Sequence, residues 1–167
     1  MTVELRDVTP PAQVGVRLYD PAAAAPALRL PLEPNRVLTE SGRSALWLGP
    51  DEWLVVGEGA ADLRLPDGAG SLVDLSANRV VLELRGPSAR DVLAAGCALD
   101  LHPRAFGPGR CAQTLLARAN VILEQTAADA FRVYVRPSFA GYLRDWLDDA
   151  TGAARAAGAL SPRATRP

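Results

Sequence analysis

One stretch of 15 residues contains three side chains that could bind a metal or perform thiol chemistry, namely Cys97, His102 and Cys111. Two thiolates and an imidazole could bind zinc if a fourth ligand, such as Asp100, completed the set. Structural zinc sites usually include two cysteines a few residues apart, and a redox pair usually has the Cys-x-x-Cys spacing. This stretch has neither arrangement. We therefore predict that both cysteines are small apolar core residues and that the chain holds no metal ligands.

The same stretch contains a loop whose composition is typical of a protein interface. His102 precedes a proline and is therefore expected to be extended, and residues 107–109 (GPG) should form a compact turn. Arg104 and Arg110 flank Phe106, and arginine beside an aromatic residue is a combination that protein interfaces favour. We therefore predict that His102, Arg104, Phe106 and Arg110 contact a partner. On this hypothesis, Arg104→Ala or Phe106→Ala should weaken assembly more than it destabilises the fold.

A glycine-rich segment at residues 54–63 (LVVGEGAADL) superficially resembles a dinucleotide-binding turn. Asp62 stands where that motif has its third glycine, and the segment that should be the crossover helix contains Pro66, Gly68 and Gly70. Without that helix there is no helix N-terminus to hold a pyrophosphate, so the sequence argues against nucleotide binding. No serine lies in a G-x-S-x-G motif, and we predict no catalytic or cofactor-binding residues.

The composition excludes several classes of protein. The 167 residues are 49% hydrophobic, the net charge is -1, and all 18 basic residues are arginine. This charge balance does not favour nucleic acid or an acidic membrane surface as a partner, and a chain without lysine can form no Schiff base and no P-loop. Charges and prolines near the N-terminus do not fit a signal peptide, and no apolar run of ~18 residues suits a membrane span. We predict a cytoplasmic location.

The elements that must position these residues are mainly strands. Period-two alternation, apolar runs and turn residues predict strands and tight turns, and a stripe of Tyr142, Leu143, Trp146 and Leu147 predicts a helix. Residues 21–34 contain four prolines and should be a connecting segment. The predicted strands are residues 3–8, 13–19, 72–75, 79–84, 112–117, 121–125 and 130–136, with a hairpin at 44–56, and the predicted helices are 89–95 and 139–150.

A faint internal repeat suggests a duplicated α+β unit. Residues 45–65 give strand, tight turn, strand and a short segment, whereas residues 120–147 give strand, tight turn, strand and helix. We therefore expect one domain at residues 1–150, made of two closely packed β-rich halves at about 1–70 and 71–150 with few helices. Residues 151–167 lack an apolar period and are expected to form a flexible tail.

Long segments of the chain closely resemble the gamma subunit of heterotetrameric sarcosine oxidase. The resemblance runs from about residue 14 to residue 150 and is carried by residues 46–59, 73–126 and 136–147. Its most specific parts are GPDEW and the stretch LDLHPRAF followed by GPG-x-CAQTLLA. The segment between Gly59 and Ser71 is shorter than in the family, where a helix is usual.

This resemblance implies a fold similar to the folate-binding aminomethyltransferase, or T-protein, of the glycine cleavage system. It implies a complex of alpha, beta, gamma and delta subunits that oxidatively demethylates sarcosine to glycine at a flavin, with tetrahydrofolate as one-carbon acceptor. FAD, FMN, NAD, tetrahydrofolate and zinc are expected on the other subunits. The gamma chain itself is expected to be a non-catalytic structural subunit, packed most directly on the alpha subunit.

Two alternatives follow from the same resemblance. The chain could be a free-standing folate-binding protein, or a gamma-like subunit of a complex that oxidises another N-methyl amino acid. Folate-using relatives carry a loop like R-T-G-Y-T-G-E between the last two strands, whereas residues 124–131 here are EQTAADAF. The Gly-Tyr pair and the acidic end are missing, so the resemblance implies that the fold is kept while this ligand loop is lost.

Overall fold

The computed structural model describes residues 3–10 and 12–160, with the side chains of residues 157–160 excepted. The described chain forms strands with three intervening or terminal helices, so its class is α+β as predicted. The strands are β1 (Glu4–Val8), β2 (Gln13–Leu18), β3 (Val37–Glu40), β4 (Arg43–Gly49), β5 (Glu52–Gly57), β6 (Gly70–Asp74), β7 (Val80–Arg85), β8 (Arg110–Leu116), β9 (Ala119–Ala127) and β10 (Ala130–Val135). The helices are α1 (Pro21–Ala24), α2 (Ala89–Ala94) and α3 (Pro137–Leu160).

The strands form two antiparallel sheets with the same internal order. The first sheet has the order β3-β4-β5-β2-β6, and the second has the order β8-β9-β10-β7-β1. In the first sheet, β3, β4 and β5 lie side by side and β2 lies next to β5. In the second sheet, β8, β9 and β10 lie side by side and β7 lies next to β10. The outermost strand beyond β2 or β7 comes from the other half of the chain. Thus β1 joins the second sheet beside β7, and β6 joins the first sheet beside β2. The two repeated units therefore exchange their first strands, and a boundary at residue 70 does not separate the two sheets.

Alternating side chains divide the interior into three layers, as period-two strands require. In β5, Trp53 and Val55 face α1 and its neighbouring loop, whereas Leu54 and Val56 face the second sheet. The third layer, which we call the helix-side core, lies between the second sheet and helices α2 and α3, and it includes Phe131 of β10. The space between the two sheets is therefore shared by both halves of the chain.

The predicted hairpin around GPDE is present as β4 and β5. Trp47 lies directly opposite Trp53 across this pair. Trp53 is fully buried, and its Nε1–H donates a hydrogen bond of 2.7 Å to the carbonyl oxygen of Pro31. This bond holds the proline-rich connecting segment against the first sheet.

Three elements differ from the sequence prediction. The single turn of α1 lies within the expected connecting segment, and Asp20 caps it by accepting a hydrogen bond from the backbone N–H of Ala23. Strand β3 follows that segment, at residues for which no element was predicted. Helix α3 does not end at residue 150 but continues through residue 160, because Thr151 is buried and Ala154 packs on the helix-side core. The expected flexible tail is therefore wrong for residues 151–160, and residues 161–167 lie outside the described part.

Candidate functional site

A row of polar and charged side chains crosses the second sheet on the face that meets the first sheet. Adjacent partners in successive strands are Arg6 and Glu83, Glu83 and Arg132, Arg132 and Glu124, and finally Glu124 and Cys111. We call these five residues the charged row. Its charges alternate in sign from β1 to β9, and opposite charges in directly paired cross-strand positions attract each other.

Glu83 is the centre of this row. Its side chain is 1% exposed, and it accepts hydrogen bonds from Arg6 Nε at 2.9 Å, Arg85 Nε at 2.5 Å and Arg132 Nε at 3.3 Å. Burial by itself would raise the pKa of Glu83, but the hydrogen bonds and charges of Arg85 and Arg6 outweigh it and lower the pKa to about 2. Glu83 is therefore ionised at neutral pH and neutralises the surrounding guanidinium groups.

Glu124 lies toward the other end of the charged row, where its hydrogen-bond partner is also buried. Tyr134 donates a hydrogen bond of 2.6 Å from its hydroxyl to Glu124 Oε2, and both side chains are buried. Burial raises the pKa of Glu124, although Tyr134 and Arg132 oppose the shift. Burial and the Glu124 charge raise the pKa of Tyr134 in turn.

The pH dependence of stability should separate the two carboxylates. Glu83 has a depressed folded-state pKa, so its stabilisation is present above about pH 4.5 and is lost as the pH falls toward about 2. Glu124 has a raised folded-state pKa, so its contribution is largest at low pH and declines as the pH rises. Glu83→Gln should lose about 2 kcal/mol at neutral pH, because arginines that are still partly solvated lose their carboxylate.

Urea unfolding between pH 2 and pH 7 measures both contributions. Glu83→Gln should flatten the fall in unfolding free energy as the pH drops below 4.5. Glu124→Gln should instead act above about pH 4.5, where it removes the loss of stability that the Glu124 carboxyl causes as the pH rises. If both variants shifted the profile in the same direction, the two carboxylates could not have opposite pKa shifts.

The row does not bring reactive groups to an open site. A cavity of about 280 Å³ lies beside it between the sheets, lined among others by Ser44, Val56, Val81, Arg132 and Tyr134. The described residues lining this cavity include neither thiol nor histidine. The arrangement balances buried charge and holds β1, β7, β10 and β9 in register, which is a structural role.

The two cysteines lie on opposite faces of the second sheet. Cys111 lies between the sheets, where its Sγ donates weakly to the carbonyl oxygen of Trp47 at 3.4 Å, and Cys97 belongs to the helix-side core. Burial, assisted by the Glu124 charge, raises the pKa of Cys111 to about 12. The thiol is therefore protonated at neutral pH and is a poor nucleophile or ligand. Both cysteines are free, and burial in the two core layers agrees with the sequence prediction.

His102 is exposed and has local partners. Its Nδ1 accepts a hydrogen bond of 3.2 Å from the backbone N–H of Arg104, and its own backbone N–H donates to Asp100 Oδ1 at 2.9 Å. The structure thus separates the three residues that the sequence places close together. In the described ranges, no group of three or more His, Cys, Asp and Glu side chains is arranged to hold a metal ion.

The four residues predicted to contact a partner have different environments. His102 and Arg104 are exposed, whereas Phe106 is only 4% exposed and packs in the helix-side core. The expectation that Phe106 is an accessible docking residue is therefore wrong. Arg110 is half-buried and binds inside the molecule, at 3.1 Å from Glu33 and 3.3 Å from the carbonyl oxygen of Pro34. It ties β8 to the connecting segment of the first half.

Arg90 organises this loop, a role that its sequence context did not predict. Its Nη1 donates hydrogen bonds to the carbonyl oxygens of Leu101 and Phe106, and its guanidinium lies 5.2 Å from the ring centroid of Phe131. Nη2 also donates to the carbonyl oxygen of Ala128 in the β9–β10 turn. The arginine follows the Gly-Pro-Ser helix start, and only its position at the first turn of α2 hinted at such a role.

The β9–β10 turn lies in the segment that the family resemblance compares with the loop of folate-using relatives. Gln125 is fully buried, and its Nε2 donates to the carbonyl oxygens of Ala127 and Ala128 at 2.9 and 3.0 Å. The side chain thereby closes the turn from inside. With Arg90 bound to the same turn, its backbone carbonyls are occupied by the protein itself.

Known proteins resemble this chain along most of its length. The model of the sarcosine oxidase, gamma subunit family matches residues 17–153. The sarcosine oxidase gamma subunit of Corynebacterium sp. strain P-1 is 40% identical over 162 residues, covering 89% of this chain and 80% of the relative. The corresponding subunit from an Arthrobacter species is 41% identical over 161 residues, covering 89% of this chain and 79% of the relative.

Solved structures give the same relationship. A chain of heterotetrameric sarcosine oxidase from Corynebacterium sp. U-96, in complex with pyrrole 2-carboxylate, superposes with a TM-score of 0.83 at 39% identity, covering 90% of this chain and 84% of the other. The glycine cleavage aminomethyltransferase T of Bartonella henselae superposes with a TM-score of 0.62 at 20% identity, over 87% of this chain and 45% of that protein. The second match shows that the predicted aminomethyltransferase-like fold is correct. Family model, curated relatives and fold agree: the chain belongs to the sarcosine oxidase gamma subunit family.

Proposed function

We propose that this chain is a non-catalytic structural subunit of a heterotetrameric sarcosine oxidase. The observation that carries the proposal is its superposition, over 90% of its length, on a chain of such a complex. The site geometry supports the same role. The charged row is internally neutralised, Cys111 is a buried protonated thiol, and the β9–β10 turn is closed by Gln125 and Arg90.

The cofactors and partners follow from this assignment. FAD, FMN, NAD, tetrahydrofolate and zinc would be held by the alpha, beta and delta subunits, with the alpha subunit as the most direct neighbour. The complex would demethylate sarcosine to glycine and pass the one-carbon unit to tetrahydrofolate. No helix in the described part is long and apolar enough to cross a membrane, and we propose that the complex works in the cytoplasm.

The domain organisation is part of this proposal. We propose a single gamma-like domain formed by the two strand-exchanged units. Of the predicted contact residues, we propose that His102 and Arg104 touch a neighbouring subunit, and their exposure on the loop that Arg90 holds supports this. Arg110 could reach a partner only at its exposed edge, since its guanidinium already binds Glu33.

Purification from the native host tests the function. An affinity tag on this chain should recover a flavin-coloured complex that consumes oxygen when sarcosine is added, whereas the isolated chain should show neither property. An isolated chain that oxidised sarcosine would overturn the proposal. Replacing sarcosine by other N-methyl amino acids in the same assay identifies the substrate of the complex, which contacts on this chain do not determine.

Titration of the isolated chain with tetrahydrofolate tests the free-standing alternative. Trp47 in β4 and Trp146 in α3 are both half-buried, so fluorescence quenching would report binding in either half. Because the β9–β10 turn is closed by its own side chains, we expect no binding at micromolar concentrations. Saturable quenching there, combined with a chain that purifies alone, would favour a folate-binding protein instead.

A further inference from the structure

One end of the molecule carries arginines without partners next to exposed apolar side chains. A cleft of about 480 Å³ is lined by Arg79 before β7 and Arg136 after β10, together with Leu115 and Asn120 of the β8–β9 hairpin. On the other side of the hairpin tip, Arg118 lines a shallow groove of about 530 Å³ with Tyr142 and Trp146. The hairpin is thus a ridge between two depressions. The residues that we call the arginine-aromatic face are Arg79, Leu115, Arg118, Arg136, Phe139 and Tyr142.

The positive charge of this face is not neutralised within the chain. Across residues 3–10 and 12–156, the guanidinium groups of Arg79, Arg118 and Arg136 form no ion pair and no hydrogen bond. Burial and the positive charge of Arg136 lower the pKa of Arg79, which Glu52 opposes only in part. Glu52 is itself bound to Arg17 at 2.9 Å. Two guanidinium groups therefore face one half-buried cleft in mutual repulsion, an arrangement that an external carboxylate would relieve.

The apolar side chains beside the arginines point to a protein surface as the source of that carboxylate. Leu115, Phe139 and Tyr142 are 53%, 44% and 42% exposed, and they make up half of the large hydrophobic side chains that are exposed in the described chain. Phe139 and Tyr142 stand three positions apart on α3 and share a helix face. Exposed apolar side chains clustered with arginine are typical of interface cores, and a free small anion would leave these apolar groups in water.

We propose that the arginine-aromatic face docks on another subunit of the complex, on a surface that presents carboxylates to Arg79 and Arg136 and apolar groups to Leu115, Phe139 and Tyr142. This assignment rests on the proposed function, because it requires a complex to join. It places a second contact at the end of the molecule defined by the β8–β9 hairpin and the start of α3, in addition to the loop of His102 and Arg104.

Competition for incorporation into the complex tests this face. An untagged wild-type chain and a mass-distinguishable variant are co-expressed with the other subunits, the complex is captured through another subunit, and the ratio of the two chains is measured by mass spectrometry. Arg79→Glu/Arg136→Glu should be incorporated about 30-fold less than the wild type, because a partner carboxylate would then face like charge. Arg64→Glu, an exposed arginine on the opposite side of the first sheet, should compete equally.

Arg79→Gln/Arg136→Gln removes both positive charges but keeps the cleft polar. It provides the test if the charge-reversed chain does not fold. It should also be depleted, and by less, while the soluble pool of the variant stays equal to that of the wild type. Equal incorporation of both double variants would overturn the docking face and leave the proposed function intact. Failure of the wild-type chain itself to enter a flavoprotein complex would instead overturn the proposed function. A third outcome is that the wild-type chain self-associates, that Arg79→Glu/Arg136→Glu abolishes this, and that both chains enter the complex equally. The face would then bind a second copy of this chain, which would also overturn the proposal.

Discussion

Phe106→Ala should lower the free energy of unfolding by about 3 kcal/mol, because truncating a buried aromatic residue loses its burial and leaves a cavity. Phe106 is 4% exposed and packs with Leu101 and the helices in the helix-side core. Its backbone is held as well, since its N–H donates to the carbonyl oxygen of His102 at 2.9 Å and its own carbonyl accepts from Arg90. Urea unfolding of the isolated chain measures the loss.

Arg104→Ala is the matched control on the same loop. Arg104 is exposed and its side chain forms no ion pair with any described residue, so its replacement should change stability by less than about 0.5 kcal/mol. Any loss of assembly in this variant would come from the interface itself. If Phe106→Ala instead kept the wild-type urea midpoint and lost assembly, the loop would have to open when the partner binds.

Gly57→Ala should destabilise the chain by about 3 kcal/mol or more. Gly57 ends β5 with φ of +107°, in the region that L-residues avoid, and a Cβ there would lie 2.3 Å from the carbonyl oxygen of Gly42. That oxygen belongs to the backbone of the β3–β4 turn and accepts a hydrogen bond from Glu58. The neighbour cannot move without disturbing two strands, so strain and steric overlap add together.

Gly59→Ala separates these two causes. Gly59 has φ of +69°, and nothing lies within 4 Å of the position of an added Cβ. Its replacement should cost only the left-handed conformation, about 1 kcal/mol. Thermal melts of the two variants give the comparison, and equal losses would show that overlap with Gly42 plays no part. The two glycines that superficially suggested a nucleotide-binding turn thus serve to lead the chain out of β5.

The sequence predicted most strands because each buries one or two regular faces. Residues 79–84 and 130–136 correspond to β7 and β10, where apolar side chains occupy most positions and both faces are largely buried. Strand β3 escaped prediction because only Val37 and Leu38 are apolar and it lies at a sheet edge. The C-terminal part of α3 was not predicted because alanines occupy both its buried and its exposed faces. Burial of Ala150 and Ala154 therefore leaves no apolar period in the sequence.

The polar interior could not be predicted from the pattern of any one strand. Arg6, Glu83 and Arg132 each look like the solvent-facing residue of a half-buried strand, and only the pairing of β1 and β10 with β7 brings them together. The burial of Phe106 depends in the same way on Arg90, whose partners are backbone carbonyls distant in sequence. Family resemblance supplied the fold and the family, since those follow from long matching segments rather than from one site.

Because the two units exchange their first strands, the order of synthesis at the ribosome limits when each sheet can be completed. Strand β1 is made first, yet Arg6 must wait for Glu83, 77 residues later in the chain. The first sheet likewise lacks its outermost strand until Gly70–Asp74 has emerged. Closing such long loops makes folding slow compared with a chain of local contacts. The nascent first half therefore stays incomplete, and a subunit competent to assemble arises only when nearly the whole chain has left the exit tunnel.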